Sequence, residues 1–271
     1  MRNIKLTLAY DGSAFAGFQV QPNACTVQGE LMAALGKILG EEVKVVGAGR
    51  TDAGVHARAQ VVNFSTRAKL PVERLPAALN SCLPREVRVW QAEEVEESFH
   101  ACYSATGKVY RYLIQQAAHP SPFLQRYSWS LRGPLDFTAM QSAAQLLLGE
   151  HDFSSFCASG GAAKNHVRTL RRLNLGQRGD LIVVEAAANG FLYKMVRNLV
   201  GTLVEVGRGA LVPEAMPRIL AARDRSQAGP TAPPQGLVLW AVHYGSSSEE
   251  GVATPGSVGL TLPWGYVKIT L

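Results

Sequence analysis

The chain has 271 residues, of which 47% are hydrophobic and 18% charged, with 26 glycines and 14 prolines. This composition is that of a folded globular protein and excludes disordered, collagen-like and coiled-coil chains. No run of about 18 apolar residues occurs, and the N-terminal residues alternate between polar and apolar, so neither a transmembrane helix nor a secretory signal is predicted. We therefore expect a soluble, cytoplasmic protein without a membrane partner.

Charge and cysteine content narrow the function classes. Lys and Arg number 27 against 21 Asp and Glu, which gives a net charge of +6. Such an excess fits a nucleic-acid partner, although alone it is a weak indication. The four cysteines lie tens of residues apart, without a CxxC pair or a histidine at zinc-ligand spacing, so we expect reduced thiols and no metal site. They are Cys25, Cys82, Cys102 and Cys157.

The first half of the chain predicts an α+β arrangement. Apolar residues at period two favour strands, and apolar residues on one side of a 3.6-residue spiral favour helices. The helix after Thr26 has that residue as its predicted N-cap and Gly40 as its terminator. In chain order we predict a strand at 4–10, a helix at 27–39, a strand at 43–46, a strand around 60–64, a helix at 71–82 and a strand at 87–95.

The second half repeats this order of elements without repeating its sequence. Its most regular pattern is a helix at 191–206, in which apolar pairs recur every four residues and Arg197 lies away from the main apolar stripe. The predicted elements are a strand at 108–115, a helix at 137–148 capped by Asp136, strands at 170–175 and 181–187, the helix at 191–206, a shorter helix at 213–223 and a strand at 237–244.

The element order favours two ferredoxin-like α+β halves with a mixed, mostly antiparallel sheet and a cleft between them. We predict an N-terminal half at residues 1–104, a C-terminal half at 105–245 and an extension of unknown role at 246–271. The extension contains a final apolar stretch, Trp264–Leu271, that the pattern does not assign.

The densest polar cluster is the loop GAGRTDAGVHARAQ at residues 47–60. A dinucleotide-binding fingerprint does not fit, because the third glycine and the following helix are missing, and a phosphate-binding loop lacks its GK[ST]. Two interpretations remain: a tight turn with a salt bridge, or a carboxylate that glycines allow to approach a ligand closely and that nearby arginines keep ionised as a nucleophile.

With this loop the sequence resembles the tRNA pseudouridine synthase A family, whose signature matches GAGRTDAGVHARAQVVNF almost letter for letter. Further matching motifs cover residues 4–245 in the family's order. They are YDGSAFAGFQVQP, TVQGEL, FHACYSATGKVYRYLI, HDFSSF, VRTL, NGFLYKMVRNLVG and DRSQAGPTAPPQGLVLWAVHY. The resemblance implies the pseudouridine synthase fold and a cofactor-free isomerase that acts on tRNA at uridines 38, 39 and 40 of the anticodon stem-loop.

The resemblance also implies roles for four residues. Asp52 corresponds to the family's catalytic aspartate, Tyr110 to the tyrosine that contacts the target uracil, and Arg197 to the arginine that pairs with the aspartate. Arg50 belongs to the same signature and is predicted to bind substrate. The reaction breaks an N1–C1′ bond and remakes it at C5, for which a carboxylate suffices without metal or redox cofactor; whether it attacks sugar or base stays open.

A uridine in a stem must be extruded before it can react, so basic residues are expected around the site. The predicted RNA contacts are His56, Arg58, Lys164 and Arg168, with Arg67, Arg171 and Arg172 as further candidates. His56 could instead hold the loop through backbone hydrogen bonds. For the single charges, a solvated surface position is the alternative. The resemblance further implies a homodimer.

Two residues depart from the family pattern. Cys102 stands where many family members have Arg, and Phe18 replaces a frequent Trp.

Three other functions are alternatives to the isomerase alone. A pure RNA-binding module would fit the charge but would not need Asp52. A chaperone-like role in tRNA folding alongside catalysis would survive the loss of the aspartate. A nucleotide-dependent oxidoreductase lacks its glycine pattern.

Overall fold

The structure, a computed structural model, describes residues 1–161 and 163–245, and the backbone of 261–262 and 265–266. The predicted apolar stretch Trp264–Leu271 lies largely outside the described residues, as does most of the predicted extension. The backbone described there forms two short antiparallel strands, Thr261–Leu262 and Gly265–Tyr266.

The first of two compact units comprises Met1–Tyr110 and Pro234–Val242. Its elements are β1 (Arg2–Tyr10), α1 (Val27–Leu39), β2 (Val46–Gly47), β3 (His56–Thr66), α2 (Leu75–Cys82), β4 (Val87–Val95), the first part of β5 (Ala105–Gln116) and most of β10 (Leu237–Tyr244). The strands lie in the order β4-β1-β3-β10, and β1 is antiparallel to both of its neighbours. β2 pairs antiparallel with β3, and β10 runs parallel to β3.

The first strand and first helix form as their patterns predict. In β1, Leu6, Leu8 and Tyr10 are buried while the residues between them are partly exposed, because successive side chains of a strand point to opposite faces. The Thr26 side chain accepts a hydrogen bond from the Gly29 amide and so caps α1, which satisfies one of the amides left free at a helix start. The helix stops at Gly40, its left-handed C-cap.

The second unit comprises Arg111–Pro233 and His243–Leu271. Its elements are β6 (Trp129–Leu131), α3 (Phe137–Gln145), β7 (Gly149–Asp152), β8 (Val167–Arg178), β9 (Leu181–Ala188), α4 (Met195–Gly207) and α5 (Ala215–Ala222). Strands β7, β8 and β9 form an antiparallel run in which β8 is central, and β6 pairs parallel with β5. Helix α4 is almost wholly buried, including the polar Asn198 and Thr202.

The predicted strand at 43–46 is wrong for most of its length, because only Val46 and Gly47 pair with β3. Before them the Val45 carbonyl accepts a hydrogen bond from the Gln28 side chain at 2.8 Å. A side chain of α1 thus takes the place of a neighbouring strand.

Two predicted helices begin later than their patterns indicate. The segment 71–82 divides into a 3-10 turn at Val72–Arg74 and α2, which has Pro76 in its first turn, where a missing amide hydrogen is tolerated. The segment 191–206 becomes helical only at Met195, because Lys194 adopts a positive φ of 58°. Apolar periodicity marks a buried face but does not report the backbone turn that precedes it.

The predicted α+β class is confirmed. Within the units, most strand pairs are antiparallel, and β3 with β10 and β5 with β6 are parallel. Of the helices in the described part of the chain, none has the length and apolar character needed to cross a membrane.

Candidate functional site

The loop between β2 and β3 places Arg50 and Asp52 at the edge of unit 1. Arg50 is exposed and Asp52 is half-buried. The Asp52 carbonyl accepts a hydrogen bond from the Val55 amide at 3.1 Å, which closes a tight turn. Gly54 supplies the positive φ of 77° that this turn needs. The chain therefore reverses directly after Asp52 and keeps its carboxylate near the surface.

Side chains from β1, from β3 and from the loop itself hold this loop in place. Tyr10 and Thr51 share a hydrogen bond of 2.9 Å between their hydroxyls. Gln60 donates from Nε2 to the Gly49 carbonyl at 2.9 Å and to the Tyr10 hydroxyl at 3.3 Å. All three side chains are buried. The loop is thus fixed on both sides of Arg50, at Gly49 and at Thr51.

Phe18 packs into the same region. It is 2% exposed and its ring lies 6.4 Å from that of Tyr10, roughly parallel to it. A methyl group at Gly47 would lie 2.4 Å from the Phe18 ring. The replacement of a frequent Trp by Phe at this position therefore bears on the packing around Tyr10, not on a solvent-facing surface.

Tyr110 belongs to unit 1 and is 7% exposed. Burial raises the pKa of its phenol well above the usual value, and the nearby Tyr10 and Asp52 raise that pKa further. A negative charge on Asp52 within range of the phenol opposes formation of a phenolate. Tyr110 is therefore a neutral hydroxyl at physiological pH, able to donate a hydrogen bond beside the Asp52 loop.

Spectrophotometric titration is expected to separate buried from exposed tyrosines. Burial raises the pKa of Tyr10 to about 12 and raises the pKa values of Tyr110 and Tyr112 as well. Unfolded tyrosine ionises near about pH 10. Folding therefore favours the protonated phenols, and their contribution to the free energy of unfolding is complete below about pH 10 and falls as the pH rises above it.

Phenolate absorbance and urea unfolding, recorded against pH, measure this effect. Tyr112→Phe should leave the phenolate absorbance that the folded protein gains near about pH 10 unchanged and reduce only the absorbance gained on unfolding. Loss of absorbance from the folded protein near about pH 10 in Tyr112→Phe would contradict the assignment.

His56 opens β3 and is 4% exposed. Its Nδ1 accepts a hydrogen bond from the Gly12 amide at 3.0 Å, so Nε2 carries the proton and donates to the Gln235 carbonyl at 3.1 Å. The Asp11 carboxylate lies 3.1 Å from Nδ1. The ring thus joins three segments of unit 1, which favours the bracing role over a direct contact with RNA.

Arg58 follows His56 on β3 and is half-buried. Its guanidinium carbon lies 4.7 Å from the Trp240 ring centre and 5.9 Å from that of Trp90. Trp90 is 42% exposed. A cation over aromatic faces is attracted by their quadrupoles and so is held in place. The predicted RNA contact at Arg58 is compatible with this arrangement.

Arg197 is held on helix α4 in unit 2. Its Nε donates to the Ala232 carbonyl at 2.7 Å, and the Ala232 amide donates to the Arg197 carbonyl at 3.1 Å. Its positive charge favours ionisation of Tyr112, whose hydroxyl donates to Pro233 at 2.8 Å. Arg197 is partly exposed, in agreement with its position off the apolar stripe.

Lys164 and Arg168 also lie in unit 2. Lys164 is exposed. Arg168 donates from Nη1 to the Asn165 and Val167 carbonyls at 3.0 and 2.7 Å, and partial burial lowers its pKa. Of the three further arginine candidates, Arg67 and Arg171 are exposed and Arg172 is half-buried.

The structure therefore divides the predicted site residues between the units. Unit 1 brings Arg50, Asp52, His56, Arg58 and Tyr110 into one compact body, and unit 2 holds the remaining three.

Sequence reasoning missed four residues of the Asp52 loop environment: Tyr10, Thr51 and Gln60 behind the loop, and Lys108. A methyl group at Gly49 would lie 3.2 Å from Lys108 Nζ, so this ammonium lies directly beside the loop. Tyr10 and Gln60 were visible in the sequence as polar residues at inward positions of alternating strands. That signal indicates a buried polar partner without saying which one.

No group of three or more His, Cys, Asp or Glu side chains in the described part of the chain is placed to hold a metal ion. The four cysteines are free thiols.

Comparison with known proteins relates these residues to a family. A family model described as tRNA pseudouridine synthase matches residues 7–104 and 143–245. The chain is 56% identical over 243 residues to a tRNA pseudouridine synthase A of Moorella thermoacetica, covering 89% of this chain and 99% of that protein. It is 48% identical over 244 residues to that of Brevibacillus brevis, covering 90% and 100%. A chain of the solved archaeal box H/ACA sRNP Nop10-Cbf5 complex is similar over 74% of this chain and 44% of that chain. The sequence identity is 12% and the TM-score is 0.36.

Proposed function

The chain belongs to the tRNA pseudouridine synthase family, and on that premise we propose that it converts uridine to pseudouridine at positions 38, 39 and 40 of the tRNA anticodon stem-loop. It is an isomerase that modifies tRNA. The position within tRNA and the roles of single residues are part of the proposal.

The observation that carries the proposal is Asp52 itself. Its loop matches the family signature, Asp52 is half-buried, and a turn and a buried polar cluster hold the loop in place. Written for attack on the sugar, the proposed reaction starts with Asp52 bonding to C1′ while the N1–C1′ bond breaks and the uracil leaves with the electron pair. The detached uracil turns, and its C5 attacks C1′ and displaces the Asp52 carboxylate. The C5 proton then leaves to solvent and N1 takes up a proton, so nothing is oxidised or reduced.

Tyr110 suits the proposed contact with the target uracil. A neutral phenol provides a flat ring for stacking, worth on the order of 1–3 kcal/mol, and a hydroxyl that can donate to the base. Its raised pKa keeps that hydroxyl protonated throughout the physiological range. We also keep Arg50 and Arg197 as proposed substrate-binding residues.

The target uridine must leave its stack, which costs a few kcal/mol that contacts with the RNA backbone have to offset. We propose Arg58, Lys164 and Arg168 for such contacts, and we place His56 with the residues that brace the loop. A homodimer would double the net charge of +6 available to one tRNA. We propose that the enzyme works as a homodimer in the cytoplasm.

A tritium-release assay tests the proposed target positions. Transcripts labelled at C5 of every uridine should release tritium in proportion to the uridines present at positions 38 to 40. Matched transcripts with cytidine at these positions, and unchanged uridines elsewhere, should release none. Equal release from both transcripts would place the target outside positions 38 to 40.

A further inference from the structure

Tyr10, Thr51 and Gln60 form a buried hydrogen-bonded chain behind the Asp52 loop, with 4%, 7% and 0% of their surfaces exposed. Burying three polar side chains is unfavourable unless their hydrogen bonds are made. These side chains lie on β1, the loop and β3, so they come together only in the folded protein.

The hydrogen-bond partners fix the direction of the chain. Gln60 Nε2 lies 2.9 Å from a carbonyl oxygen, which can only accept, so the amide orientation is determined. Nε2 also donates to the Tyr10 oxygen. Either oxygen could donate in the bond between the Tyr10 and Thr51 hydroxyls, and we assign Tyr10 as the donor because its hydrogen then has Thr51 Oγ1 as acceptor. Burial and the raised pKa of Tyr10 keep that hydrogen in place. The chain therefore runs from Gln60 through Tyr10 to Thr51.

This cluster does not make all the hydrogen bonds available to it. Gln60 Oε1 is buried without a hydrogen-bond partner among the residues that the structure describes. A partly satisfied polar network is worse for stability than an apolar one of the same volume. Stability alone would favour apolar side chains at these positions. The polar side chains therefore indicate that the cluster fixes the geometry of the loop that carries Asp52.

We propose that Thr51, Tyr10 and Gln60 are positioning residues for the reaction, which hold the Thr51–Asp52 peptide so that the carboxylate is presented in one orientation. The inference rests on the proposed function of Asp52. Gln60 fixes the Gly49 carbonyl and Tyr10 fixes the Thr51 hydroxyl, so the backbone is held on both sides of Arg50. Loss of either hydrogen bond leaves the Asp52 carboxylate chemically unchanged but allows it to adopt other orientations.

Thr51→Val and Tyr10→Phe each remove the shared hydroxyl contact with little change in shape. Each should lower kcat by about ten- to a hundredfold, since a misplacement of about 1 Å has effects of this size, and should leave KM for tRNA unchanged. Thr51→Ser keeps the hydroxyl and should restore kcat. Because both substitutions break the same bond, the double variant should lose no more than the worse single one.

Thr66→Val provides a matched control. Thr66 is buried on β3 like the cluster, but its hydroxyl bonds to Glu41, away from the Asp52 loop. It should retain wild-type kcat. Should Thr51→Val not fold, as judged by circular dichroism, Tyr10→Phe and Thr51→Ser still decide the matter through their kcat values.

The results separate two kinds of failure. Wild-type kcat in folded Thr51→Val and Tyr10→Phe, or a rise in KM alone, would overturn the positioning role. Full turnover by an Asp52 variant would instead overturn the proposed function on which it rests. Additive losses in the double variant would show that the two hydroxyls act separately and would also contradict the inference.

Discussion

Asp52→Asn is expected to abolish pseudouridine formation while leaving the protein folded and able to bind tRNA. The amide has nearly the shape of the carboxylate, and the turn behind it depends on the Asp52 carbonyl and the Val55 amide, which the substitution leaves in place. What is lost is the negative charge and the nucleophilic oxygen. Removal of a nucleophile lowers turnover by more than about a thousandfold.

Tritium release from tRNA labelled at uracil C5 measures this loss, and filter binding of the same tRNA checks that the RNA is still held. Asp136→Asn is the matched control, because Asp136 caps α3 through its side chain and asparagine caps helices equally well. Turnover by Asp52→Asn close to that of the control would contradict the nucleophile assignment and favour a protein that binds RNA without chemistry.

Local signals predicted the regular elements well. Helix α1 begins and ends at the predicted caps, Thr26 and Gly40, and β10 has the predicted bounds. These features depend on residues near one another in sequence: a hydroxyl that reaches the third amide along, a glycine that takes a left-handed turn, and alternation along one strand. A window of a few residues contains everything needed to predict these features.

What the sequence did not predict depends on distant partners. Residues 43–45 have the composition of a strand, yet a glutamine of α1 occupies the Val45 carbonyl in place of a neighbouring strand. Tyr10 and Gln60 are fifty positions apart and meet only because β1 and β3 pair in register, Leu8 opposite Gln60. Periodicity indicates an inward direction for each residue but not what it contacts.

In the candidate site, too, local motifs were visible in the sequence and contacts between distant residues were not. The glycine-punctuated loop and its acidic residue were visible as a polar cluster, and the family motifs assigned Asp52, Tyr110 and Arg197. The supporting contacts were not visible, because the Ala232 carbonyl that receives the Arg197 hydrogen bond is a backbone atom whose position no side-chain pattern encodes. Motifs therefore predict the reacting groups, and the fold identifies the contacts around them.

Gly201→Ala is expected to destabilise the protein strongly, although alanine is the better helix former. A Cβ at this position of α4 would lie 1.7 Å from the Pro230 carbonyl oxygen and 2.9 Å from its carbon. The Pro230 backbone cannot easily withdraw, because Ala232 is bonded to Arg197 through both its amide and its carbonyl, and Gly229 donates to Thr202. Overpacking against fixed backbone lowers the free energy of unfolding by about 3 kcal/mol or more.

Gly36→Ala in α1 isolates this steric cause. Gly36 also lies inside a helix, but the nearest atom to its added Cβ would be the Glu41 carbonyl oxygen at 3.8 Å, an ordinary contact. Helix propensity alone then applies, and the variant should gain up to about 1 kcal/mol. Urea unfolding of both variants should give changes of opposite sign. Equal stabilisation would mean that the segment around Pro230 yields readily, and the hydrogen bonds between Ala232 and Arg197 would then be too weak to hold the guanidinium in one orientation.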